Sequence, residues 1–150
     1  MNNRLLASRL KAVAIALLAI PEVLLGFAIY IFGAGGDLCG NDVLEEALSP
    51  SKQYKAVIFR RSCGATTGFS THVSVLPQTS GIDNSSGNVL RTDTNHGGAP
   101  SSPNGGPLVH ATWVSNNELQ LVYHPLARAF TAASKIGEVR ITHVRQVPGA

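Results

Sequence analysis

Several catalytic signatures are missing from this chain of 150 residues. It contains no His-Glu-x-x-His, no His-x-His and no repeated cysteine pair, so the local patterns that mark zinc sites are absent. No Gly-x-Ser-x-Gly elbow is present, which removes the usual signal of an α/β-hydrolase nucleophile. The Gly33-x-Gly35 spacing neither follows a strand nor opens a Rossmann unit, so no dinucleotide cofactor is expected. Charge is also scarce: 12 Lys+Arg stand against 9 Asp+Glu, and three of the cations, Arg4, Arg9 and Lys11, precede a long apolar run. The remainder is close to neutral and has no basic stripe interleaved with aromatics, so nucleic acid is not an expected partner.

What is there begins with residues 12–32, AVAIALLAIPEVLLGFAIYIF, which carry one charge, Glu22. At a rise of about 1.5 Å per residue this run covers a hydrocarbon core of roughly 30 Å. The sequence therefore predicts a single transmembrane helix over 12–32, with the lipid bilayer as its partner. Its cations lie on the N-terminal side and Asp37 and Asp42 on the other. The positive-inside rule then makes 1–11 a cytoplasmic basic flank and 33–38 a linker. Residues 39–150 become an extracytoplasmic, periplasmic domain of a single-pass protein of the cytoplasmic (inner) membrane. A cleavable signal peptide ending near Gly33-Ala34-Gly35 competes with this signal-anchor reading. A lipoprotein signal acylated at Cys39 is disfavoured by the bulky Leu38 before it. Glu22, beside Pro21, is an intramembrane polar residue in this reading. It is either protonated or paired with a polar group of a membrane partner.

Beyond the linker, 41–48 could form a turn of helix before Ser49-Pro50 breaks it. The period then changes to two. Tyr54 to Arg60, Thr71 to Leu76, Asn88 to Thr92, Leu108 to Val114, Glu118 to Tyr123 and Gly137 to Arg145 read as strands bounded by Gly, Ser, Asn and Pro. Ser115-Asn116-Asn117 marks a hairpin that sets Val109, Ala111 and Trp113 against Leu119, Leu121 and Tyr123. Leu126 to Ala133 has helix formers but is short enough for a strand. The fold class expected is mainly β, an N-terminal single transmembrane helix followed by a small antiparallel β-meander or sandwich.

Cys39 and Cys63 are the only cysteines. In an oxidising compartment they read as one disulfide, worth roughly 3 kcal/mol for a loop of that span. In a reducing one, Cys63 would be a candidate nucleophile. The segment CGATTGFST packs small and hydroxyl-bearing residues between two strands. CGNDVLEEALSP, YKAVIFRRSCGATTGFSTHVSVL and TNHGGAP resemble an uncharacterised family of short bacterial membrane-anchored proteins that share a CGATTGFST-type motif. The likeness spans most of residues 39 to 145, with Ser51-Lys52 where that pattern has Asp-Gly. It implies an extracytoplasmic domain and no catalytic residues.

Five histidines keep a metal hypothesis open, with His72, Asp93 and His96 the first candidates. Ser70 or Thr67 with His72 and Asp93 could be named as an acyl-transfer set. The irregular stretch from His96 to Pro107 is built from Gly, Pro, Ser and Asn and must lie on the surface, as a recognition loop or as slack. Two functions follow. The expected one is a binding or interaction domain that contacts another envelope protein through the 92–107 loop, with no cofactor and no catalytic residues. The alternative is a metal-dependent or hydrolytic envelope enzyme using His72, Asp93 and His96. Asn84 stands in an Asn-Ser-Ser acceptor context.

Overall fold

Strands form here wherever apolar residues recur at every second position, because only a pleated ribbon turns all of them to one side. The computed structural model describes residues 20–30, 39–64 and 67–147. The chain divides into two units, Met1–Leu38 and Cys39–Ala150. The second unit is built from nine strands: β1 Gly40–Leu48, β2 Tyr54–Ser62, β3 Ser70–Pro77, β4 Leu90–Asp93, β5 Val109–Ser115, β6 Glu118–Tyr123, β7 Arg128–Ala132, β8 Lys135–Ile136 and β9 Val139–Arg145. They make a five-stranded sheet of order β1-β2-β3-β4-β7 and a four-stranded sheet of order β5-β6-β9-β8.

The transmembrane helix over 12–32 is corrected. The helix described covers residues 20–30, which at about 1.5 Å per residue reach about half of a roughly 30 Å hydrocarbon core. Among the described residues no helix is long and apolar enough to cross a membrane. The bilayer expected as partner therefore has no spanning helix among them. Glu22 is exposed on this short helix, as are Val23, Leu24, Leu25, Phe27, Ile29 and Tyr30. The expected flank 1–11 and linker 33–38 lie outside the described residues.

A purely antiparallel meander is also corrected, because β6 and β9 pair in parallel, Leu119 opposite Ile141 and Leu121 opposite His143. Between them the chain leaves the four-stranded sheet, adds β7 to the edge of the other sheet, and returns through β8. The helical turn expected over 41–48 is strand β1. Pairing with β2 along its whole length overrides the helix-forming Leu-Glu-Glu-Ala within it, with an irregularity between Val43 and Glu45.

The main core lies between the inner faces of the two sheets. Ala56, Ile58, Val73, Val75 and Leu90 from the first meet Val109, Leu119, Leu121, Tyr123, Val139 and Ile141 from the second. The residues expected to share one face of the β5–β6 hairpin do so: Val109 faces Tyr123, Ala111 faces Leu121 and Trp113 faces Leu119. Trp113 also donates its indole N–H to the Ala47 carbonyl at 2.9 Å, joining β5 to β1.

The outer face of the five-stranded sheet carries Val57, Phe59 and Arg61 of β2 opposite Ser74, His72 and Ser70 of β3. Val57, Phe59, His72 and Ser74 are buried there. Their cover is the β3–β4 connection. Asn41 Nδ2 donates to the Asp83 and Ser85 carbonyls, Arg61 donates to the Asn84 carbonyl, and the Asn88 amide exchanges two bonds with Val75. Gly87 has no room for a side chain, since a Cβ would lie 2.7 Å from the Val73 carbonyl and 2.8 Å from that of Leu90. Backbone thus approaches backbone, and only glycine permits it.

Candidate functional site

Cys39 and Cys63 form a disulfide, with a sequence separation of 24, at the open end of the β1–β2 hairpin, just beyond the Gly40–Ser62 pair. Neither thiol is free, so the reading of Cys63 as a nucleophile is withdrawn. Several residues of the motif that follows hold the local structure together. Thr67 donates its hydroxyl to the Gly64 carbonyl, and Thr71 donates to the Pro107 carbonyl at 2.7 Å. Gly105 and Gly106 leave room for Phe69 and Thr71, since a Cβ on Gly105 would lie 2.5 Å from the Phe69 ring and one on Gly106 would run into the Thr71 hydroxyl.

The 92–107 loop is therefore stitched down. Ala99 is buried in the core, Ser101 bridges to Pro107, and Arg60 donates to the Asn104 carbonyl. An Asx turn opens the loop, with the Asn95 N–H donating to Asp93 Oδ1 at 2.8 Å. Positive φ at Asn95, His96 and Gly97 completes the reversal. Thr94 and His96 are thereby held at the rim of a cleft.

That cleft, about 520 Å³, lies on the outer face of the five-stranded sheet. Its walls are Arg61 of β2, Ser70 of β3, Asp93 of β4, Arg128 and Phe130 of β7, and Phe69 before β3. Arg61 is fixed by bonds from Nη1 to Asn41 Oδ1 at 2.7 Å and the Asn84 carbonyl at 2.8 Å. Arg128 engages both carboxylate oxygens of Asp93, with Nε to Oδ1 at 3.2 Å. Partial burial pushes the Asp93 pKa up, but the Arg128 bond, the Asn95 N–H and the charges of Arg128 and His96 outweigh it and hold the carboxyl below its usual range. Two guanidinium groups against one ionised carboxylate leave the cleft net positive. Guanidinium groups also cover the two aromatics, Arg60 lying 4.6 Å from the Phe69 centroid and Arg128 lying 4.7 Å from that of Phe130.

Of the three sequence candidates for a metal, Asp93 and His96 share this cleft, while His72 does not line it. His72 is 5% exposed beneath Gly87. Among the described residues, no group of three or more His, Cys, Asp or Glu side chains is arranged to hold a metal ion. The acyl-transfer set fares no better. The Gly87 N–H donates to His72 Nδ1 at 3.1 Å, so in the neutral ring the proton sits on Nε2. That proton points at Ser70 Oγ, 3.1 Å away, and Ser70 directs its own hydrogen to the Arg61 carbonyl. A base must present a lone pair to the hydroxyl, and this histidine presents an N–H. Burial first, then the charges of Arg61 and Arg91, lower the His72 pKa to about 4 and keep the ring neutral. Asp93 binds Arg128 and completes no triad.

The remaining histidines are dispersed. His110 is exposed on the outer face of the second sheet, His124 Nδ1 accepts the Leu126 N–H, and His143 Nε2 donates to the Ala133 carbonyl. Arg61, Phe69, Arg128 and Phe130 were not marked by the sequence as site residues. The one local signal for them is the Arg-Ala-Phe of 128–130, a cation and an aromatic two apart beside a strand edge.

Fold and cleft together define a disulfide-stapled, two-sheet β domain with a cationic, aromatic-edged surface site. Compared with protein-family models, curated proteins and solved structures, the chain has no match.

Proposed function

We propose that Cys39–Ala150 is a binding module working in an oxidising, extracytoplasmic compartment, and that it contacts another envelope component through the cleft and the 92–107 loop. One observation carries this reading. A cleft of about 520 Å³ presents fixed cations and exposed aromatic rings, while the histidine beside the Ser70 hydroxyl bears its proton on the wrong nitrogen for general-base chemistry. The compartment is supported by the Cys39–Cys63 disulfide, since such bonds persist outside the reducing cytosol. The likeness of CGATTGFST to the bacterial group is in keeping with that setting.

A photo-crosslinking residue placed at His96 in living cells tests the proposal against one placed at Thr142, on the exposed face of the second sheet. A defined adduct from position 96 and none from 142 is the expected result. Equal labelling at both positions, or none at 96, would remove the cleft as a contact surface. Stoichiometric zinc or copper in the purified chain, lost in Asp93→Ala, would replace the binding reading with a metal-dependent enzyme.

A further inference from the structure

Strand β7 has one residue more than β4 needs. Arg91 faces Thr131 and Thr92 faces Ala129, so Phe130 is the extra residue of a β-bulge. A bulge lets neighbouring side chains emerge on the same side of a sheet. Phe130 consequently joins Arg128 and Thr131 on the outer face, where it is 59% exposed and lines the cleft. Arg128 lies over its ring, and more than half of the residue stays exposed. Burying a phenylalanine ordinarily stabilises a fold, and this ring is held out of the core by backbone geometry. Beside the Arg128 guanidinium, the ring surface left exposed can serve as a stacking platform.

Resting on the reading of the domain as a binding module, we infer that the cleft takes an acidic saccharide, with a sugar ring against the exposed Phe130 side chain and its carboxylate drawn by the guanidinium groups of Arg61 and Arg128 that line the cleft. Three observations select this ligand class. The aromatic surface is a flat exposed ring rather than a deep apolar pocket, which suits the C–H face of a sugar. Thr67, Ser70 and Thr94 also line the cleft, and the lone pairs left on their hydroxyl oxygens suit a ligand rich in hydroxyls. The excess of guanidinium over carboxylate favours a ligand bearing negative charge. An acidic peptide would dock most readily by adding a strand to the free edge of β7, but the bulge at Phe130 interrupts the row of backbone groups that strand addition needs.

Isothermal titration of the full chain with trigalacturonate, cellotriose and triglutamate tests this, with Phe130→Ala as the site variant and Val114→Ala, on the exposed face of the other sheet, as control. Trigalacturonate should bind roughly tenfold or more tighter than cellotriose. Phe130→Ala should weaken it about fivefold or more, the loss of one stacking contact, while Val114→Ala leaves it unchanged. Binding of triglutamate equal to that of trigalacturonate and indifferent to Phe130→Ala would reduce the cleft to a plain anion site and overturn the inference. So would failure of trigalacturonate to bind. If that failure came with an adduct still formed from position 96, the saccharide assignment would fall and the binding module would stand.

Discussion

The two sheets share one core and differ in what lies on their outer faces. Behind the five-stranded sheet, the β3–β4 connection closes a second small core over Val57, Phe59 and His72, and a cleft opens beside it. Behind the four-stranded sheet, His110, Thr112, Val114, Arg140 and Thr142 stand exposed with no cover among the described residues. A site thus forms where a sheet face is partly roofed. The roof and the 92–107 loop supply walls and fix the rim, and an unroofed face offers neither.

The strongest way to break this contrast is to hollow out the covered face. Phe59→Ala, at a fully buried ring 5.4 Å from His72, should cost about 3–5 kcal/mol in urea unfolding. A cost below about 1 kcal/mol would mean the roof is not packed. Next, Cys39→Ser with Cys63→Ser should lower stability by about 3 kcal/mol, because the unfolded chain gains the freedom of an unclosed loop. Unchanged unfolding after reduction would show that the β1–β2 pairing holds without the staple.

Smaller is the pH effect of the covered face. His72 has its pKa lowered from an ordinary 6.5 to about 4, by burial first and then by Arg61 and Arg91. The unfolded chain therefore takes up a proton below pH 6.5 that the folded chain refuses. Stability conferred by the neutral ring is whole above pH 6.5 and declines as the pH falls toward 4. The decline attributable to this group should be about 2 kcal/mol, allowing for partial solvent screening. Unfolding titrations of His72→Gln should lack that slope, and an identical pH profile in the variant would assign it elsewhere. Smallest of all, Val114→Thr on the open face should change stability by less than about 0.5 kcal/mol. A loss above 1 kcal/mol would reveal that this face is covered after all.

Much of the strand pattern was legible. Glu118–Tyr123 matches its expected bounds, and the alternation of Val109, Ala111 and Trp113 against Leu119, Leu121 and Tyr123 identified the residues that share one face of the β5–β6 hairpin. Where local and distant preferences conflict, the reading failed. Leu44-Glu45-Glu46-Ala47 favours helix in isolation, and only the neighbouring β2 makes it a strand. Hydropathy over 12–32 suggested a membrane span, yet among the described residues no helix is long and apolar enough to cross a membrane. At the site, Asp93 and His96 were legible because polar residues led into a Gly- and Pro-rich loop. Arg61 and Phe130 were not, because 69 positions of chain separate two residues that reach one cleft from β2 and β7, strands with β3 and β4 between them in the sheet.

By itself, the order of residues determined which segments extend, which side of each is apolar, and which two cysteines were available to pair, since all three follow from the local period and from composition. Tertiary structure alone decided that β7 crosses to the other sheet, that β9 returns parallel to β6, and that one extra residue in β7 turns Phe130 outward beside Arg128. Strand neighbours are chosen by burial summed over the whole domain, and no window of sequence contains that sum.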